Sequence, residues 1–167
     1  LVKRSLRYWL KEILILVVLA IAISAAMDWF RSQSLPTESA PPITGVTLDG
    51  ESVDVIAMSY EQPVMVYFWA TWCPACKFVS PTVDWLSQYY PVIGVAGSSG
   101  TSARVRQFMQ AQEYQFSNIN DERGEIFNRW NISVTPTIFI IKDGKVESIT
   151  TGIITPPGML ARLWLNQ

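Results

Sequence analysis

The chain has 167 residues, 49% of them hydrophobic and 12% aromatic, and its 13 Lys and Arg against 14 Asp and Glu leave a net charge of −1. That length suits one domain plus an appendage, and the charge balance favours no nucleic-acid partner. Histidine is absent, which excludes a Ser-His-Asp triad, a Cys-His protease pair and a histidine metal site.

Residues 1–12 form a basic segment, with Lys3, Arg4, Arg7 and Lys11 against Glu12. An uncharged run from Ile13 to Met27 follows, in which only Ser24 is polar. As a helix that run spans about 22 Å, short of the ~30 Å hydrocarbon core of a bilayer, whereas Tyr8 to Phe30 spans about 34 Å. Tyr8, Trp9, Trp29 and Phe30 would then be interfacial aromatics, with Lys11 reaching the headgroups. A single transmembrane anchor over 13–30 is predicted. Positive charge ahead of it, with only Arg31 close behind, places the N-terminus in the cytoplasm and the rest outside. A cleaved signal peptide has the same layout, with Ser24-Ala25-Ala26 as its cleavage site. A buried core helix fits poorly, because the run is apolar all round and meets a polar linker. Anchor or signal, the remaining chain lies in an exported compartment.

Residues 31–42, with Pro36, Pro41 and Pro42 among Ser, Gln, Thr and Glu, read as a tether with nothing to bury. A folded domain is expected over 43–167. Val46 and Leu48 alternate, Asp49-Gly50 turns the chain, and Val53 and Val55 alternate back, which predicts a β-hairpin. Val64 to Trp69 is a continuous apolar run of strand formers, the pattern of a central strand covered on both faces. Thr71-Trp72 is a short turn, and Cys73-Pro74-Ala75-Cys76 opens a helix with Pro74 at its first position. The sulfur of Cys73 then lies at a helix N-terminus, whose unpaired N–H groups and dipole favour a thiolate.

Val79, Val83, Leu86 and Tyr90 recur at helical spacing, so this helix should run to about Tyr90, kinked at Pro81 and stopped by Pro91. A buried strand follows over Val92 to Ala96. Gly97-Ser98-Ser99-Gly100 is a loop without the lysine of a phosphate-binding loop. A helix over Ser102 to Gln112, a strand near Phe116 to Ile119 and a short helix over Gly124 to Asn131 come next. Thr137 to Ile141 and Val146 to Thr150 flank an Asp143-Gly144 turn as a second hairpin, and Met159 to Leu165 is a closing helix.

Cys73 and Cys76 are the only cysteines. In a strand–turn–helix setting a Cys-x-x-Cys pair points to redox chemistry: one thiol attacks and the second, a helical turn behind, displaces it. Two other readings stand beside it: a pair of buried structural thiols, or half of a metal site. A structural zinc takes four Cys or His ligands, and no further cysteine or histidine exists.

Phe68-Trp69-Ala70-Thr71-Trp72-Cys73-Pro74-Ala75-Cys76 resembles the active-site segment of thioredoxin-like proteins. The likeness is to the membrane-anchored bacterial TlpA/ResA-like branch, including disulfide oxidoreductases of the suppressor-of-copper-sensitivity D type. Val134-Thr135-Pro136-Thr137 is similar to that family's cis-proline loop, and Pro81 to the proline of its active-site helix. The resemblance spans roughly Ile43 to Gln167. It implies an α/β thioredoxin fold, a central mixed sheet flanked by helices, with an N-terminal β-hairpin and a helix–strand insertion between Ala96 and Pro136.

It also implies a protein-disulfide oxidoreductase that needs no cofactor and no metal. Cys73 would be the exposed attacking sulfur and Cys76 the resolving one. Trp72, Pro74, Ala75, Thr135 and Pro136 would contact substrate, with the backbone of Thr135 pairing strand-fashion with an extended peptide. Partners would be proteins carrying disulfides or dithiols and a membrane-bound electron-donor reductase. The location would be the bacterial inner membrane, single-pass, with the catalytic domain in the periplasm. With no histidine between the cysteines to stabilise the reduced thiolate, a reductant is favoured over an oxidant. One departure concerns Tyr67, which stands six residues before Cys73 where thioredoxin has a buried aspartate, so no general base can be named. Two alternatives are a copper-handling module that uses the same dithiol for a soft ion, and a redox-inert interaction domain.

Overall fold

The computed structural model describes Trp9, residues 11–16, 18–19 and 39–165. The chain divides into two units, Leu1–Ser34 and Leu35–Gln167. The described residues of the first unit are helical, and Ile13, Leu14, Ile15 and Leu16 are exposed there. The basic segment, the anchor over 13–30 and most of the linker over 31–42 lie outside the described residues, but the linker's end corrects its reading as a tether with nothing to bury: Ala40 is buried in an apolar core of the second unit and its N–H donates to the Gly144 carbonyl at 3.1 Å. Among the described residues no helix is long and apolar enough to cross a membrane.

The second unit opens with a hairpin, β1 (Thr44–Val46) and β2 (Ser52–Asp54), and a short helix α1 (Val55–Ser59). Then come β3 (Val64–Trp69), α2 (Cys76–Ser87), β4 (Val92–Gly97), α3 (Ser102–Ala111) and β5 (Ser117–Asp121). The chain closes with α4 (Glu125–Arg129), β6 (Thr137–Lys142), β7 (Lys145–Thr151) and α5 (Pro156–Leu165). Five strands form one mixed sheet in the order β5-β4-β3-β6-β7. β3 runs parallel to β4 and antiparallel to β6. This is the mixed sheet flanked by helices that the resemblance implies.

The apolar run of β3 explains its central place, because both of its faces are covered. Alternate residues divide between two cores. Met65, Tyr67 and Trp69 face a core that holds Cys73, Cys76, Val79, Val83 and Leu86, closed by Met159 and Leu163 of α5. Val64, Val66 and Phe68 face a second core with Ile43, Val55, Trp130 and Phe139. Every residue of β3 is at most 1% exposed, so a charged substitution anywhere along it would be costly. Next door, Gly94 of β4 permits close approach: an added Cβ would stand 2.5 Å from Asn118 Oδ1 and 2.6 Å from the Phe116 ring.

Several expectations change. The hairpin forms, yet Val46 is 60% exposed, while Ile43 and Val55 just beyond the strand ends are the fully buried residues. Val55 belongs to α1, which starts because Asp54 caps it by accepting from the Ala57 N–H at 3.0 Å. Five residues are too few to show a helical period, so the sequence masked this element. α2 ends at Ser87 instead of near Tyr90: Pro91 biases Tyr90 away from helical geometry, and the N–H groups of Tyr89 and Tyr90 both turn back to the Leu86 carbonyl. α5 starts three residues early, because Pro156 and Pro157 fit a first turn, where no N–H is needed. Between Gly97 and Pro136 lie α3, β5 and α4, the last being the short helix expected over Gly124 to Asn131.

Candidate active site

β3 and β4 are parallel, so their C-terminal ends lie side by side, and the loops leaving them build the site. From Trp69 the chain turns through Ala70 to Cys73, whose N–H donates to the Ala70 carbonyl at 3.2 Å. The turn is bound to the loop after β4. The Thr71 N–H donates to Ser99 Oγ at 3.0 Å, Ser99 Oγ donates to the Gly97 carbonyl at 3.0 Å, and Trp72 Nε1 donates to the Ser98 carbonyl at 3.1 Å. Underneath, Trp69 Nε1 donates to Asn118 Oδ1 at 2.8 Å, fixing the last residue of β3 in an otherwise apolar layer.

Cys73 and Cys76 are joined as a disulfide, with their Cα atoms 5.3 Å apart. The first helical residue is Cys76, not Cys73, with Ala75 at the cap position. The Cys76 N–H donates to Cys73 Sγ at 3.1 Å. Pro74 therefore lies two residues before the helix, a correction to its assignment at the first helical position. Its carbonyl accepts from the Lys77 N–H at 3.3 Å, and that of Ala75 from the Phe78 N–H at 3.1 Å. A tight first turn thus brings a backbone donor onto the first sulfur.

Both sulfurs belong to buried residues, Cys73 at 3% and Cys76 at 2% exposed. The expected contrast between an exposed first and a buried second cysteine is absent from this bridged form. Above the pair Trp72 is 65% exposed, so it is a surface tryptophan and not a core one. Pro74 is exposed and Ala75 half-buried.

The Thr135–Pro136 peptide is cis. Antiparallel pairing of Phe68 with Thr137 brings this loop to the same end of the sheet as the Cys73 turn. The Pro136 carbonyl accepts from the Gly152 N–H at 2.8 Å, and Thr137 Oγ1 donates to the Val134 carbonyl at 2.8 Å. Among the described residues the backbone N–H and C=O of Thr135 have no partner. Strand register thus brings the Thr135–Pro136 loop to the end of the sheet where the chain leaves β3 for the Cys73 turn.

Tyr67 is fully buried, and its hydroxyl shares a hydrogen bond of 2.8 Å with Ser80 Oγ, one helical turn beyond Cys76. Burial holds its ionisation far above the ordinary tyrosine value, with Ser80 opposing only in part. It therefore stays neutral and is no substitute for a carboxylate base. Among the described residues no group of three or more His, Cys, Asp or Glu side chains converges as a metal site. In sequence Gly97–Gly100 reads as a plain loop, whereas Ser98 and Ser99 within it hold the active-site turn. The signal was available in their place directly after a strand parallel to the one that leads into the cysteines.

A mixed α/β sheet with a Cys-x-x-Cys disulfide at the head of a helix, facing a cis-proline, defines a thioredoxin-like thiol–disulfide oxidoreductase. The chain belongs to the AhpC/TSA family, whose profile matches residues 36–149. A thioredoxin-like protein of Haemophilus influenzae is 35% identical over 159 residues, 95% of either chain. Sporulation thiol-disulfide oxidoreductase A of Bacillus subtilis is 24% identical over 84% of this chain and 91% of its own. In fold the chain is similar to a secreted Mycobacterium tuberculosis disulfide oxidoreductase homologous to DsbE, with TM-score 0.63 and 22% identity over 74% of this chain and 95% of that one.

Proposed function

We propose that the chain is a membrane-anchored periplasmic thiol–disulfide oxidoreductase that works mainly as a reductant of protein disulfides. In the reduced form Cys73 attacks one sulfur of a partner disulfide, and the other partner sulfur leaves as a thiolate. Cys76 then loses its proton and attacks Cys73 Sγ, which releases the second partner sulfur. The products are a partner dithiol, which takes up two protons, and the Cys73–Cys76 disulfide. A membrane-bound electron-donor reductase returns the pair to the dithiol. The observation that carries this reading is the hydrogen bond from the Cys76 N–H to Cys73 Sγ inside a bridged pair. That donor supports Cys73 as the sulfur whose negative charge is stabilised once the pair is reduced, and the bridge supports Cys76 as the resolving partner.

Substrate would lie across Trp72, Pro74 and Ala75 and pair with Thr135 beside Pro136. The unpartnered backbone of Thr135 supports this, since an extended peptide added there would satisfy both groups. The basic segment 1–12 and the uncharged run from Ile13 to Met27 support a single anchor over 13–30 with a cytoplasmic N-terminus, and the polar, proline-containing residues 31–38 a tether to the domain that follows.

Replacing Cys76 by Ala removes the resolving sulfur. In a membrane preparation the variant should accumulate mixed disulfides through Cys73 that reducing agent releases, and mass spectrometry of the trapped proteins names the substrates. A variant that captures nothing, while the native chain also leaves insulin disulfides intact, contradicts the exchange reading.

A further inference from the structure

We infer that a groove beside the Cys73 turn is a selectivity subsite for acidic residues of the substrate, read by Arg104. This rests on the exchange reading above. The groove holds about 480 Å³ between the active-site turn and α3, and is lined by Thr71, Trp72, Arg104, Gln107, Phe108 and Ala111. Arg104 is the one charged residue of that lining. Among the described residues its guanidinium has no carboxylate and no hydrogen-bond partner, and the residue is exposed. Trp72, exposed and adjacent to Cys73 in the chain, lines this groove, so a substrate segment lying across Trp72 comes alongside it.

Local rules argue that Arg104 is not there to stabilise its helix. Thr101 caps α3, accepting from the Arg104 N–H at 3.4 Å, so Arg104 occupies the third helical position. A glutamate there would complete a capping box and suit the positive end of the helix dipole. The first turn contains no acidic residue at all, and a cation faces the wrong pole. Such a breach of local preference at the rim of a site is where function is expected to outweigh stability.

The side chain is also held in place. Gly100 has φ +89°, and a Cβ there would stand 3.0 Å from Arg104 Cδ, so the arginine stem crosses back over a position that only glycine fills easily. Phe108, in the groove floor, packs on Trp69 with ring centroids 5.9 Å apart. The stem of Arg104 is therefore packed beside Gly100, and its residue lines one groove with Thr71 and Trp72 of the turn that carries Cys73.

The test uses the reduced full chain in detergent and three quenched disulfide peptides that differ only in one residue next to the reactive cysteine: Glu, Gln or Lys. Second-order rate constants for peptide reduction are compared as ratios within each variant. The native chain should prefer the Glu peptide to the Lys peptide roughly 1.5- to fivefold at low salt, the range of an exposed ion pair, and lose the preference at high salt. Arg104→Gln should flatten the ratio and Arg104→Glu invert it. Equal rates for all three peptides with the native chain, or a preference that survives Arg104→Glu, overturn the subsite while leaving exchange chemistry standing. A native chain that reduces none of the peptides overturns both.

Discussion

At the residue scale the site turns on one sulfur and one backbone donor. Cys73 is buried, which by itself would raise a thiol's pKa, yet it accepts the N–H of the first helical residue, which favours the thiolate. Behind it Tyr67 and Ser80 share a hydrogen bond in a core that otherwise offers few polar partners. Tyr67→Phe leaves the Ser80 hydroxyl without that partner and should cost about 1–2 kcal/mol by denaturant unfolding. The same variant tests the ionisation. A tyrosine whose folded-state pKa lies above its ordinary 10.0 contributes stability that is fully present below that value and lost as pH rises past it, because only the unfolded chain ionises there. Native stability should therefore fall above pH 10, and Tyr67→Phe should fall less steeply. Equal slopes for the two proteins would remove Tyr67 from that account.

At the element scale the pattern of side chains was the most readable part of the chain. The run from Val64 to Trp69 identified the central strand, and the helix expected over Ser102 to Gln112 ends within a residue of α3. What stayed hidden was tertiary. Val46 and Val53 alternate as a hairpin should, yet which residues of the hairpin are buried depends on how it lies over the second core, and Ile43 and Val55 turned out to be the anchors. Likewise Pro74 reads as the first helical residue, whereas the chain spends Pro74 and Ala75 on a tight turn that aims an N–H at the sulfur. The close approach at Gly94 was equally invisible, because it depends on Phe116 and Asn118 across the sheet. Gly94→Ala forces those side chains aside and should lower stability by about 1–3 kcal/mol. It should also slow disulfide exchange, since Asn118 holds Trp69 under the active-site turn. A thermal scan and an insulin-reduction assay on one preparation check both effects; an unchanged melting temperature would contradict the tight fit.

On the scale of the whole molecule, the domain and its cysteines are joined by sheet register. Parallel β3 and β4 place the Cys73 turn against Ser98 and Ser99, and antiparallel β6 returns Thr135–Pro136 to the same edge. The cysteines and the proline were legible as motifs, separated by sixty residues of sequence, but only the fold brings them together. The proposed anchor is argued from charge and hydropathy in residues 1–30. It predicts that the full chain sediments with membranes and withstands carbonate extraction, whereas a chain beginning at residue 36 stays in the supernatant. Recovery in the carbonate supernatant of a chain cut near Ser24-Ala25-Ala26 would contradict the anchor and favour the cleaved-signal reading.

The most direct measurement is the acidity of the Cys73 thiol in the reduced chain, read as the pH dependence of its alkylation and assigned to Cys73 by peptide mass. The donor supplied by Cys76 predicts a midpoint at least about one unit below the ~8.5 of a free cysteine. A midpoint at or above ~8.5 would mean that the helix does not favour this sulfur's charge, and would contradict the assignment of Cys73 as the attacking group.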